Sequence, residues 1–273
     1  MPELPEVEVV KMSLEPRLVG ERFRRVEVRF HTLREPLDRA GLVALEGRRI
    51  ETVRRRAKYL LIDLEGGRTL AIHLGMSGRL TVVDAGEPAA RHEHVAFHLE
   101  GGGRLRLVDP RRFGQALVLD TSSLESDRHF SHLGVEPLGG AFDGEHLRRC
   151  AEGRRGPIKT FLMDGGVVVG VGNIYASEAL WRVRVHPKRP VNRVASATWQ
   201  RVADSVRATL AQAIREGGTT LNDFTDGEGN AGYFQVSLSV YGREGEPCGC
   251  CPGSIRRIVQ ANRSTFYCPG CQR

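Results

Sequence analysis

No apolar run in this 273-residue chain comes near the ~20 residues that a membrane-spanning helix needs. The longest, such as Tyr59 to Ile62, cover only a few positions. The N-terminus lacks the apolar segment of a secretory signal, because Glu3, Glu6 and Glu8 come at once. Internal repeats and low-complexity tracts are missing too, so nothing suggests a solenoid or a disordered tail. Cysteine is almost absent from most of the chain: of six, only Cys150 precedes Cys248. These absences predict a cytosolic protein without a membrane partner. In that reducing setting, a late cysteine cluster reads as metal ligands rather than disulfides.

The remainder is ordinary for a globular protein, with 40% hydrophobic and 27% charged residues, and the length suggests two domains. The net charge is +7, and most of the cations are Arg. Arg's planar fork suits a polyanion, but a general preference for Arg over Lys gives the same composition.

Val7, Val10 and Leu14 recur at helical spacing over residues 5–18, with Gly20 as a stop. Strand patterns then follow one another around Val26–Phe30, Tyr59–Leu64, 69–74, Val95–Leu99, Leu105–Leu107 and Gln115–Asp120, separated by Gly-rich turns. Short connections imply antiparallel pairing, hence a β-sandwich or barrel-like domain over residues 1–133. Residues 134–143 read as a linker. Helices are expected next, near 144–151, 157–163, 173–183 and along Val202, Val206, Leu210 and Ile214. Residues 217–233, rich in Gly, Asp, Asn and Thr, suggest a functional loop. The alternation of Val236, Leu238 and Val240 reads as a strand leading into a terminal module over 236–273, after a helical domain over 144–235.

In that module Cys248-x2-Cys251 and Cys268-x2-Cys271 flank sixteen residues, the spacing of a four-thiolate zinc site. All four positions being filled by protein, the ion is expected to be structural, with Cys250 left as a free thiol. The intervening segment reads as a hairpin turning near Asn262-Arg263, which puts an Arg close to its tip. Such an Arg can grip a phosphate or enter a groove; a plain fold staple is the alternative.

Pro2 becomes the terminus once Met1 is removed, which a small second residue favours. Its secondary amine, with an α-amino pKa near ~7.7–8, is far more nucleophilic at neutral pH than a Lys amine. With a sugar aldehyde it must form a cationic iminium, an electron sink. The alternative is a processed terminus with Pro5 opening a helix.

Four segments carry a specific resemblance: Pro2-Glu3-Leu4-Pro5-Glu6-Val7-Glu8, His73-Leu74-Gly75-Met76-Ser77-Gly78, Asp109-Pro110-Arg111-Arg112-Phe113-Gly114 and Gly170-Val171-Gly172-Asn173-Ile174-Tyr175. With the four-cysteine module, they resemble the bacterial formamidopyrimidine-DNA glycosylases from Pro2 to Gln272. The resemblance implies an α+β protein: an N-terminal antiparallel β-sandwich with flanking helices, then a helix–two-turns–helix domain with a zinc finger. It implies a monomeric base-excision enzyme, found with bacterial DNA, that releases 8-oxoguanine and formamidopyrimidines and nicks the strand by β,δ-elimination. One structural zinc and no organic cofactor go with it.

The resemblance makes Pro2 the nucleophile at C1′, Glu3 the acid that opens the sugar ring, Lys58 a proton carrier and Arg263 a residue of δ-elimination. Because an Arg is a poor proton donor, Arg263 is expected mainly to hold phosphate. Met76, Arg111 and Phe113 match residues that fill the void left by an extruded base. His92, Arg111, Arg112, Arg154, Lys159 and Asn173 match DNA contacts, and Thr219 and Thr220 the loop closing over the lesion. Taken singly, Met76 and Phe113 would more often be core, and Lys58 part of a solvated basic run. An endonuclease VIII-like enzyme for oxidised pyrimidines typically begins Pro-Glu-Gly-Pro-Glu, whereas this chain has Leu4 and the purine-branch void fillers. A non-catalytic DNA-binding protein would have lost Pro2, Glu3 or Lys58. An N-terminal-proline tautomerase leaves the cysteine module unexplained.

Overall fold

The computed structural model describes residues 2–30, 32–219 and 238–273. The chain divides into two compact units, Met1–Ser131 with Gly217–Tyr233, and His132–Glu216 with Phe234–Arg273.

The first unit opens with α1 (Leu4–Leu18), followed by β1 (Phe23–Val28), α2 (Arg39–Val43), β2 (Ile50–Arg56), β3 (Tyr59–Leu64), β4 (Arg68–His73), β5 (Arg79–Val83), β6 (Glu93–Leu99), β7 (Arg104–Val108) and β8 (Gln115–Asp120). Two four-stranded antiparallel sheets result, ordered β1-β6-β7-β5 and β2-β3-β4-β8. Val26, Phe97, Leu107 and Leu80 of one sheet and Val53, Ile62, Ile72 and Ala116 of the other share a single core, so the unit is a sandwich. α1 adds Val7, Val10, Leu14 and Leu18 to that core, the helical spacing of its apolar positions placing all four on one face. β2 and β5 are strands that the sequence reading did not anticipate.

The second unit holds α3 (Gly144–Ala151), α4 (Ile158–Leu162), α5 (Asn173–Arg182) and α6 (Ser196–Arg215), then a hairpin of β9 (Arg256–Gln260) and β10 (Arg263–Tyr267). Leu147, Ile158, Tyr175, Trp199, Val206 and Leu210 belong to its main core. Residues 134–143, read as a linker, are packed into this unit: Val135 bridges Val168, Gly134 N–H donates to Gly165 O, and Phe142 is fully buried.

Leu238 and Val240 do not form the expected strand; Val236, read with them, lies outside the described residues. The backbone N–H groups of Ser239, Val240 and Tyr241 all donate to the buried carboxylate of Glu178 on α5, at 2.8–2.9 Å. A carboxylate that takes three N–H groups satisfies the backbone locally and removes the need for a ladder partner. Among the described residues no helix is long and apolar enough to cross a membrane.

Candidate active site and metal centre

Pro2 and Glu3 are buried at the head of α1. Glu3 is the N-cap, and a capping box fixes it: its backbone N–H donates to Glu6 Oε2 at 2.7 Å while its own side chain takes the N–H of Glu6. The other Glu6 oxygen accepts the N–H of Thr219 at 2.9 Å. One carboxylate thus ties the Pro2-Glu3 terminus to the start of the 217–233 segment. The sequence reading does not include Glu6 among the site residues: a capping-box signature opens with Ser, Thr, Asp or Asn, and Glu3 at that position departs from it. Thr220 lies outside the described residues.

Lys58 sits in the two-residue turn between β2 and β3, half-buried, after Ala57 at φ 55°. That turn is anchored to α1. Arg55 Nε donates to Glu8 Oε2 at 2.7 Å, and its Nη1 bonds the Ala57 carbonyl at 2.9 Å. Beside it, His73 has its pKa lowered to about 4, first by burial and then by the charges of Lys58 and Arg34. Its Nδ1 accepts the Gly75 N–H at 3.0 Å, so the neutral ring carries its proton on Nε2.

The unfolded chain binds a proton on this imidazole at pH 6.5 and the folded one only near 4, so the stability it contributes is complete above 6.5 and lost as pH falls toward 4. The free energy of denaturant unfolding measured from pH 7 to 4 should show a loss of about 3 kcal/mol that is missing in His73→Gln.

Met76 and Phe113 are not core. They are 41% and 44% exposed, and the Arg111 guanidinium lies 5.0 Å from the Phe113 ring centre. Their loops are locked together by Asp109, which is fully buried. Its Oδ1 accepts from Ser77 Oγ at 2.6 Å and its Oδ2 from Gly114 N–H at 2.7 Å, while Ser77 Oγ accepts the Arg111 N–H at 3.2 Å. His94 Nε2 bonds the Asp109 carbonyl at 2.7 Å. Gly75, at φ +63°, lets the loops touch, since a Cβ there would lie 2.4 Å from the Phe113 carbonyl carbon. Asp109→Ala leaves Ser77 and Gly114 without a buried acceptor. It should cost about 3 kcal/mol in denaturant unfolding, with Asp109→Asn costing less. His92 and Arg112 both have positive φ (65° and 56°), and the Arg112 guanidinium stacks 5.3 Å from the Phe30 ring.

In the second unit Asn173 opens α5. Its Nδ2 donates to the Ser264 carbonyl on β10 at 2.9 Å and to the Tyr241 hydroxyl at 3.2 Å. Lys159 is not at the surface. It is 1% exposed, and its ammonium donates to Asn173 Oδ1 and, at 2.7 Å, to Thr265 Oγ1. Arg154 is exposed, paired with Asp164 at 2.8 Å and stacked on Phe161. The hairpin turns at Ala261-Asn262, both with positive φ, one residue earlier than the sequence reading put it; Arg263 is the exposed first residue of β10.

The sulfurs of Cys248, Cys251, Cys268 and Cys271 lie within 4.8 Å of one another, 3.7 Å for Cys248–Cys271 and 3.5 Å for Cys251–Cys268. A tetrahedral ion with ~2.3 Å metal–sulfur bonds separates its ligands by ~3.8 Å, so the set fits zinc. Backbone N–H groups of Cys250 and Gly253 point at Cys248 Sγ and Cys251 Sγ, the knuckle arrangement that favours thiolates. Burial, and then the adjacent sulfurs, pushes the Cys271 thiol up, so ionising all four together calls for a cation among them. Cys250 stands outside the set, exposed.

Residues 1–116 match the sequence model of the formamidopyrimidine-DNA glycosylase N-terminal domain, and residues 133–225 that of the formamidopyrimidine-DNA glycosylase H2TH domain. Proteins named formamidopyrimidine-DNA glycosylase from Stutzerimonas stutzeri and Halorhodospira halophila are 51% and 50% identical, with all of each chain covered. Among solved structures, the Lactococcus lactis Fpg in complex with abasic-site DNA superposes with a TM-score of 0.91 at 31% identity, covering 99% of both chains. The MutM (Fpg) protein of Thermus thermophilus gives 0.88 at 39% identity, covering 99% of this chain and 98% of that one. This chain belongs to the formamidopyrimidine-DNA glycosylase family.

Proposed function

We propose that this protein releases oxidised purines, 8-oxoguanine and formamidopyrimidines, from duplex DNA and then cuts the strand at the resulting abasic site. The observation that carries this reading is the pair of exposed apolar residues, Met76 and Phe113, on loops clamped by a buried carboxylate. A soluble protein gains nothing from presenting them to water beside Arg111, whereas an enzyme that extrudes a base must fill the gap it leaves. Met76 and Phe113 wedge into the stack, and Arg111 bonds the orphaned cytosine.

In the reaction the Pro2 nitrogen forms a bond to C1′ as the damaged base leaves with its electron pair and takes up a proton. Glu3 donates a proton to the ring oxygen, the C1′–O4′ bond breaks and an iminium remains. The iminium acidifies C2′. Lys58 takes part in the proton transfers, the 3′-phosphate leaves by β-elimination, and the 5′-phosphate follows by δ-elimination. Water then releases Pro2.

His92, Arg112, Arg154, Asn173 and Arg263 hold backbone phosphates, Asn173 aided by the N–H groups at the start of α5. Lys159 serves this grip from inside, through Asn173 and Thr265. Thr219 and Thr220 close over the extruded base. Zinc, held by Cys248, Cys251, Cys268 and Cys271, contributes only the rigidity of the hairpin.

Borohydride added during incubation with an 8-oxoguanine–cytosine duplex should trap a covalent protein–DNA adduct at Pro2. Strand nicking without base release, or no adduct, would overturn the reading.

A further inference from the structure

Beyond the DNA-facing residues, the second unit contains a cavity of about 530 Å³ at the metal end of the hairpin. Its walls come from the Val183–Val185 turn after α5, from Thr198 and Arg201 near the start of α6, and from the two cysteine knuckles. Arg184, Arg189, Arg201 and Arg273 line it; among the described residues no Asp or Glu does, and the negative charge in the wall is that of the Cys251 and Cys271 thiolates. Among the described residues none of these four guanidinium groups has an ion-pair partner, whereas others are taken up by carboxylates, as Arg22 is by Glu65 and Arg148 by Glu145.

The frame is fixed. Arg184 has a left-handed backbone (φ 59°), which a residue with a Cβ adopts only when its surroundings hold it there. The Arg273 N–H donates to the Arg184 carbonyl, Gln272 Nε2 to the Val185 carbonyl and Arg201 Nη2 to the Val183 carbonyl. The backbones of Arg184 and Arg273 are therefore held in the wall, and the Arg201 guanidinium is tied to it through one nitrogen.

It is also separate from the residues assigned to duplex contact. Arg263 stands at the other end of β10, roughly 17 Å of extended chain from Cys268. Asn173 bonds the hairpin at Ser264, next to Arg263.

We infer that this cavity is a second anion site that takes the phosphate chain of an oligophosphate. Guanidinium forks bind phosphate oxygens in pairs, and four of them around one concavity match several phosphates in series. Among the described residues no aromatic side chain lines the cavity, so none of them offers a nucleobase a stacking face. The phosphate chain alone is read, whether it is free or attached to a nucleoside. The exposed thiol of Cys250 lies in the lining and reports on occupancy.

The test uses the zinc-loaded protein with inorganic triphosphate and adenosine triphosphate as probes, and sulfate at matched ionic strength as control. Calorimetry and the rate of Cys250 alkylation by iodoacetamide, read by peptide mapping with zinc content checked, give binding and location. The expected result is saturable binding of both triphosphates within about twofold of each other and at least fivefold slower alkylation. Each guanidinium removed, in Arg184→Ala and Arg201→Ala, should weaken binding roughly tenfold while 8-oxoguanine excision stays unchanged. Absence of saturable binding, equal protection by sulfate, binding of the nucleotide alone, or loss of binding in Arg263→Ala instead would each overturn the inference.

Discussion

A single residue retained ahead of Pro2 should abolish base release and strand nicking together, by ~10³-fold or more, while the melting temperature stays where it was. An amide nitrogen has no available lone pair, so neither the bond to C1′ nor the iminium can form. The fold has no stake in the free amine. α1 is held by its capping box and by Val7, Val10, Leu14 and Leu18 in the core. Pro2→Gly restores a terminal amine, a primary one, and should recover part of the activity. Borohydride trapping separates the cases: adduct with Pro2→Gly, none with the extended chain. An adduct that persists in the extended chain would move the nucleophile elsewhere, with Lys58 the first residue to replace.

Glu6 sharpens this prediction. Because its carboxylate holds the Glu3 N–H and the Thr219 N–H at once, Glu6→Gln keeps the geometry only in part. It is a positioning residue, and its loss should lower kcat more than it raises KM.

What was legible in the chain was local. The x2 spacing of the cysteine pairs, the helical period of α1 and the turn-bounded runs of β3 and β8 are patterns of neighbours, and the structure places them where the sequence put them. What escaped depends on partners far along the chain. β2 reads as a basic run because Arg54 and Arg55 meet their acids, Asp63 and Glu8, on other elements. Lys159 reads as a surface cation, yet its ammonium is taken inside by Asn173 and by Thr265, over a hundred positions away. Asp109 reads as one residue of a loop motif, and only the fold shows it bonding Ser77 and Gly114 at once. The exposure of Met76 and Phe113 follows from that clamp, which no periodicity encodes.

The same long-range bonds set the consequence of removing zinc. Without the ion, four sulfurs within 4.8 Å have nothing to gather them, and the small core of Val240, Ile255 and Phe266 around them is too slight to hold the hairpin alone. When β9 and β10 come apart, Arg263 loses its place, Asn173 loses the Ser264 carbonyl, and the buried Lys159 ammonium loses Thr265. The cost is therefore larger than that of the hairpin arginine itself. Arg263→Ala should weaken binding to a duplex with an abasic-site analogue about tenfold, as one lost phosphate contact does. Cys268→Ser, or stripping with a chelator, should weaken it at least ~100-fold, because the phosphate contact proposed for Asn173 goes as well. Fluorescence anisotropy measures both, with metal analysis alongside. The first unit has its own core and should keep its thermal transition. Zinc-free protein that still binds the duplex at full strength would show that the hairpin is held by its strands and not by its sulfurs.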